Sequence, residues 1–191
     1  MNVEKSGRMN KADQKRVNRC NRQRGGKFEK VGADFLDMDV VPYSGSNARF
    51  GYGDVRDSIW LGEFKNITPK NNKVTIKNSW ITINNDRASA INKLPFLAWM
   101  PCGKVTKYII LDYDVFNKLN TNIDIKVEIP KKSCKAVNII LDVDDIWIKK
   151  LKPDGGVAEM KFDEQLLYMM RMELFKDIII KNGLKGTRNL L

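Results

Sequence analysis

Three side chains between Gly53 and Lys65 have the types and spacing of a hydrolytic centre. Glu63 and Lys65 stand two apart in Ile59–Asn66, a run that reads as a strand. They therefore project from one face, while Phe64 turns to the other face and into a core. Gly53–Arg56 reads as the preceding strand, and a hairpin turning at Asp57-Ser58 sets Asp54 opposite Leu61 and diagonal to Glu63. Same-face diagonal neighbours lie roughly 7–8 Å apart, close enough for two carboxylates to share a cation. A one-residue slip would carry Asp54 to the opposite face and dismantle the arrangement. Two carboxylates suit a hard divalent cation such as Mg2+. That cation would lower the pKa of a bound water and offset charge on a phosphate ester. Lys65 would position the water or balance the developing negative charge. A loose D…ExK spacing also occurs as a plain solvated sheet face. Here it keeps company with Glu29 on a preceding helix, a Ser44-Gly45-Ser46 loop, and glycines beside both acids.

Composition narrows the chemistry. The 191-residue chain has no histidine, which excludes Ser-His-Asp and Cys-His catalysis, His-ligated zinc and a histidine base. Cys20, Cys102 and Cys134 are scattered without a CxxC pair, and read as free thiols of a reducing compartment. At 42% hydrophobic and 30% charged residues the chain is globular. It has no apolar run of membrane-spanning length and no apolar leader at its start, so the expectation is a soluble, cytoplasmic protein without a membrane partner. Of the +11 net charge, most comes from residues 1–30, where ten basic side chains face three acids. Such an arm can displace counterions from a phosphate backbone, or can be a solvated terminus.

Periodicity supplies the elements that would position these groups. Residues 1–24 read as an extended or weakly helical basic arm, followed by a short helix over Lys27–Leu36 with Phe28, Val31, Phe35 and Leu36 as its stripe. Val40–Tyr43 reads as a strand leading into the loop Ser44–Asn47. After the hairpin come an extended piece at Lys73–Lys77 and a helix over Trp80–Asn92 capped by Ser79. Strands follow at Phe96–Met100 and Lys107–Leu111, then a helical turn at Asp114–Leu119. Further runs at Ile123–Ile129 and Val137–Val143 look like strands, and Asp163–Lys181 looks like a long helix. The class is α/β with a mixed sheet.

The run from Gly25 to Lys65 resembles the PD-(D/E)xK nuclease superfamily, and within it the archaeal and phage type of Holliday junction resolvase. That family has a helix-borne Glu, a strand ending in Ser-Gly, an Asp, and then Glu-x-Lys. The matching positions are Glu29, Ser44-Gly45, Gly53-Asp54 and Glu63-Phe64-Lys65. TIKNSWITINNDRASAINKLPFLAWM is similar to the family's second helix and core strand, and TKYIILDYDVFNKL to its closing strand and terminal helix. The resemblance covers about residues 22–119. It implies a restriction-endonuclease-like mixed sheet flanked by helices as a core over 25–119; charge and periodicity set off 1–24 as a basic arm and 120–191 as an α+β extension, a candidate for dimerisation with no counterpart in the family. It implies that Asp54, Glu63 and the Phe64 carbonyl ligate Mg2+ or Mn2+, that Lys65 activates the attacking water, and that Glu29 and Ser44 assist. It also implies a homodimer acting on branched DNA, the four-way junction. Arg19, Arg22, Arg24, Lys27, Ser46 and Arg49 are the expected DNA contacts. The family's usual Pro before the first Asp is Gly53 here. A related nuclease cutting flaps, branches or duplex shares the same core, and a catalytically silent DNA-binding module is the reading from a different class.

Plainer roles stand beside these. Glu29 reads equally as a surface residue pairing Lys27 or Lys30, and Ser44 as a turn former. Asp112 and Asp114 read as a helix cap, and Asp142, Asp144 and Asp145 as a strand edge blunted by charge. The C-terminal run carrying Leu166, Leu167, Met169, Met170, Phe175 and Ile178–Ile180 is apolar on more than one helical face, which suits packing on the domain's own sheet or, with a second apolar face to cover, a subunit interface.

Overall fold

Asn10 accepts a hydrogen bond from the Asp13 amide (2.8 Å) and so caps a helix that runs unbroken through Lys11–Leu36, α1. In this computed structural model the described residues are 10–42, 52–119, 125–128, 134–135, 138–142, 151, 155–162 and 165–188. Ser44, Gly45, Ser46 and Arg49 lie outside them, as do Asp144 and Asp145. Of the two states expected for the arm, extended or weakly helical, residues 11–24 take the helical one, in a single helix with the residues that follow. These residues are rich in Lys, Arg and Gln, which lose little freedom in a helix, and they extend the anchored helix that follows. Only the C-terminal part of α1 packs. Phe28, Ala33 and Leu36 are buried, but Val31, assigned to the apolar stripe, is 44% exposed. Asp37 ends the helix in a left-handed conformation (φ 60°) and is gripped by Lys185 (2.6 Å) and Arg188 (2.9 Å).

Two short strands, β1 (Asp39–Val40) and β2 (Val55–Arg56), pair antiparallel and lead into β3 (Trp60–Ile67). The next strand, β4 (Lys73–Lys77), leaves this sheet, and α2 (Asn78–Ala90) carries the chain back to β5 (Leu94–Pro101), parallel to β3. Ser79 is not the cap of α2. The helix starts two residues earlier, with Lys77 at the cap position and no side-chain cap bond. The β-branched Ile-Thr-Ile run is helical because tertiary contacts override its propensity. Ile81 is buried, and buried Asn84 donates its amide to the Phe96 carbonyl (3.0 Å). The antiparallel β6 (Tyr108–Asp112) then meets α3 (Tyr113–Lys118), where Asp112 accepts from the Val115 amide (2.9 Å) as the expected cap.

Beyond residue 119 lie β7 (Ile125–Glu128), β8 (Cys134–Lys135), β9 (Asn138–Asp142), β10 (Val157–Phe162), β11 (Gln165–Arg171) and α4 (Met172–Lys181). The expected long helix over Asp163–Lys181 is thus corrected to a strand and a ten-residue helix. Its all-round apolarity has a simple cause: β11 sits between β6 and β10, and Leu167, Tyr168, Met169 and Met170 are buried on both faces. The helical argument for a subunit interface falls with the helix, since both apolar faces are covered within the chain. Asp142 likewise is not on an edge strand, because β9 is the middle strand of its sheet, and Asn72 donates to its carboxylate (2.9 Å).

The main sheet has the order β1-β2-β3-β5-β6-β11-β10-β7, and a second sheet the order β4-β9-β8. On one face of the main sheet α1, α3 and α4 enclose a core around Phe28, Phe64, Phe96, Phe116 and Phe175. On the other face the second sheet and α2 pack Val74, Ile76, Ile81, Ile139 and Leu141 against Leu97, Trp99, Ile110 and Met169. Strands from beyond residue 119 join both sheets: β11 continues the main sheet past β6, and β9 pairs with β4. The fold is mixed α/β, a mostly antiparallel multi-stranded sheet flanked by helices.

Candidate active site at the open edge of β3

The β2–β3 turn decides which residues meet. Asp57 accepts hydrogen bonds on Oδ1 from the amides of Ile59 (2.8 Å) and Trp60 (2.7 Å), and its own amide donates to the Trp60 carbonyl (3.2 Å). This local turn enlarges the expected two-residue connection. The ladder becomes Val55 with Gly62 and Arg56 with Leu61. Continued by one residue, this register sets Asp54 directly opposite Glu63, where the sequence reading had it opposite Leu61 and diagonal to Glu63. The slip is two residues, so Asp54 keeps its face.

β2 ends there, and β3 runs on past it. The Asp54 amide donates to the Gly62 carbonyl (2.8 Å), and its carbonyl accepts from the Val41 amide (2.9 Å). Its carboxylate Oδ2 accepts from the Phe64 amide (2.7 Å), taking the role of the strand that has ended. Gly53 makes this approach possible. It lies at φ +74°, closed to proline, and a Cβ there would come within 2.6 Å of Leu61. On the other face the Phe64 ring packs edge-on to Phe28 (5.0 Å) and directly over Gly32, where a Cβ would be 2.0 Å from the ring.

Glu63 and Lys65 project together, as their spacing predicts. Lys65 Nζ hydrogen-bonds Glu63 Oε1, lies 3.9 Å from Asp54 Oδ2, and donates to the Phe64 carbonyl (3.3 Å). Glu29 reaches the same cluster from α1. Burial and then the Asp54 charge push its pKa from 4.5 up to about 7, with Lys65 opposing and Glu63 adding to the rise. Burial and Asp54 also raise the pKa of Glu63, against the pull of Lys65 and Arg87. A cation bound there would relieve such crowding of carboxylates about one lysine. The donor set fits a hard cation: two facing carboxylates and the adjacent Phe64 carbonyl are all oxygen ligands. Among the described residues no three Cys, Asp or Glu side chains converge closely enough to hold a metal by themselves.

Two residues at this site were not singled out from the sequence. Arg87 Nη1 lies 4.0 Å from Glu63 Oε2, with its guanidinium 5.9 Å from the Tyr52 ring. Trp80 lies under two cations, Lys65 (5.7 Å) and Lys77 (5.8 Å). Seven residues apart on α2, they share the helix face turned to Glu63 and Lys65. That spacing, on a helix following Glu-x-Lys, was the available signal.

The expected nucleic-acid contacts divide between two flanks of α1. Arg22 lies seven residues before Glu29, and Arg19 one turn earlier, on the stripe that leads to the acids. Arg24 and Lys27 lie on another flank, and Arg24 Nη1 approaches Cys102 Sγ (3.5 Å). No helix among the described residues is long and apolar enough to cross a membrane. Compared with known protein families, with curated proteins and with solved structures, the chain matches none.

Proposed function

We propose that this protein is a divalent-metal-dependent DNA endonuclease built on a restriction-endonuclease-like core, acting as a homodimeric Holliday junction resolvase of the PD-(D/E)xK type. One observation carries the chemistry: Asp54 faces Glu63 across the β2–β3 register, with Lys65 within 3.9 Å of Asp54 on the same side. The junction substrate and the dimer rest on the resemblance of residues 22–119 to that family.

In this reading Asp54, Glu63 and the Phe64 carbonyl hold Mg2+ or Mn2+. Bound there, the cation supplies charge neutralisation at the scissile phosphate and a more acidic water. The chain's own groups do the rest. The Phe64 amide fixes the Asp54 carboxylate in place. Lys65 would orient the attacking water and balance charge as the water oxygen bonds phosphorus and gives up its proton to solvent, while the P–O ester bond opposite breaks and the leaving oxygen takes a proton from solvent. Arg87 holds Glu63 from the α2 side, and the basic stripe of α1 lies along the substrate backbone. The protein would work in a cytoplasm.

The test is cleavage of an immobile four-way junction, a matched duplex and a flap, each with Mg2+ or EDTA. Paired symmetric nicks in the junction, lost with EDTA and lost by about 100-fold or more in Asp54→Asn, are expected. Cutting by Asp54→Asn and Glu63→Gln at the unaltered rate refutes the nuclease assignment. Equal cutting of all three substrates keeps the chemistry and rejects the junction.

A further inference from the structure

Between α1 and the β5–β6 connection lies a cavity of about 350 Å3, within the size range of small-ligand sites. Four cations ring it: Arg24 and Lys27 from α1, Lys104 and Lys107 from the connection. No acid lines it. Its wall is apolar, formed by Phe28, Val31 and Met100, with Val105 standing 86% exposed at its mouth. Asn66 completes the lining.

Each property alone has an ordinary explanation, but the combination is specific. Cations alone would serve any phosphate backbone. An apolar recess alone would be a packing defect. Cations around an apolar wall match a nucleotide: phosphate on the rim, and one base face against Val31, Met100 and Val105. A base can reach such a recess only when it has left its stack.

We propose that this cavity binds one unpaired nucleotide of the DNA strand next to the cleavage site, so that the substrate is DNA with locally unstacked bases. The inference rests on the nuclease reading and adds to it the substrate's local form. Position supports it. Phe28 adjoins Glu29 and Asn66 adjoins Lys65, so the cavity is one residue along the chain from the candidate site at two points. A branch point or a flap offers unstacked nucleotides, whereas regular duplex does not.

The test is binding, measured by fluorescence anisotropy in EDTA with the full chain and a labelled oligothymidylate of about eight nucleotides. Val31→Trp fills the cavity from an exposed position, and Lys104→Glu reverses one rim charge on an exposed loop. Lys118→Glu on α3 makes the same change in net charge elsewhere. Both cavity variants should weaken oligothymidylate binding about tenfold or more, and Lys118→Glu should not. Where Val31→Trp fails to fold, Lys104→Glu with Lys118→Glu decides. Cavity variants that bind as tightly as the unaltered chain, or no better discrimination from Lys118→Glu, overturn the proposal. Junction cleavage by the unaltered protein in Mg2+, run in parallel, separates the two readings. Cleavage without a cavity effect rejects the cavity alone. Cavity-dependent binding without cleavage of any substrate rejects the nuclease and keeps the nucleotide site.

Discussion

Replacing Glu29 with Gln tests whether the three carboxylates form one electrostatic unit. Glu29 carries a folded-state pKa of about 7 against 4.5 for the free side chain, because burial and then Asp54 oppose its ionisation. A carboxylate whose pKa rises on folding destabilises the fold where both states are ionised, above pH 7. That cost shrinks as pH falls through 7 and is gone below 4.5, where both states are protonated. At about 1.4 kcal/mol per tenfold the full shift would be about 3 kcal/mol, and partial exposure of Glu29 reduces it to roughly 1–2 kcal/mol by solvent screening. Gln copies the shape of the protonated acid without the charge. In EDTA at pH 8.5, Glu29→Gln should therefore raise Tm by about 3–6 °C, and the gain should vanish toward pH 4.5. Mn2+ should stabilise the unaltered chain and shrink the gain at pH 8.5, since the cation balances the same charges. Thermal unfolding followed by circular dichroism reads all three. A Glu29→Gln protein no more stable at pH 8.5 than the unaltered chain would mean that Glu29 is an ordinary solvated acid paired with Lys27 or Lys30.

Other expectations concern how the site is held. Gly53→Ala forces a side chain into a left-handed conformation against Leu61 and should cost about 1–3 kcal/mol in urea unfolding. Gly53→Pro, which restores the residue usual in the resembled family, should be worse, because proline cannot take φ +74°. A chain ending at Gly183 loses the bonds from Trp60 Nε1 to the Leu184 carbonyl (2.8 Å) and from the Ser58 amide to Thr187 (3.1 Å). Hydrogen exchange at Ile59–Leu61 should then speed up, and unchanged exchange would show the tail to be passive. Trp80→Ala removes the ring beneath Lys65 and should slow cleavage a few-fold, in line with about 0.5–1 kcal/mol for an exposed cation–π contact. An unaltered rate would take Trp80 out of the site.

The site was legible in the sequence to the extent that it depends on period-two geometry. Glu63 and Lys65 share a face and Phe64 faces the core because any strand imposes it. The partnership of Asp54 was legible only modulo two residues. An Asp side chain bonding to its own turn changes loop length without changing face, and Asp57 did so. The chain from Gln165 to Lys181 misled for a different reason. A strand buried on both faces has no alternation, so Leu166–Met170 reads the same in a helix as in the middle of a sheet. The arm is ambiguous in the opposite sense, since polar residues 11–24 carry no apolar period and are helical through continuity with anchored residues 28–36.

What no local pattern could show is that the end of the chain braces the beginning of the site. Lys185 and Arg188 hold Asp37 at the C-terminus of α1, and Thr187 clasps Ser58 by two hydrogen bonds at the β2–β3 turn. Gly186 lies so close to Asp57 that a Cβ there would come within 2.2 Å of its carboxyl carbon. Lys93, from the approach to β5, bonds the Asp57 carbonyl from another side. The turn that fixes the register of Asp54 against Glu63 is thus held from two distant parts of the chain, residues 184–188 and Lys93. β2 contributes only two residues of ladder to that register, too few to resist slippage alone. The bracing by residues 184–188 gives the C-terminal region a role the sequence reading left open: it stabilises the one pairing on which the opposition of the two carboxylates depends.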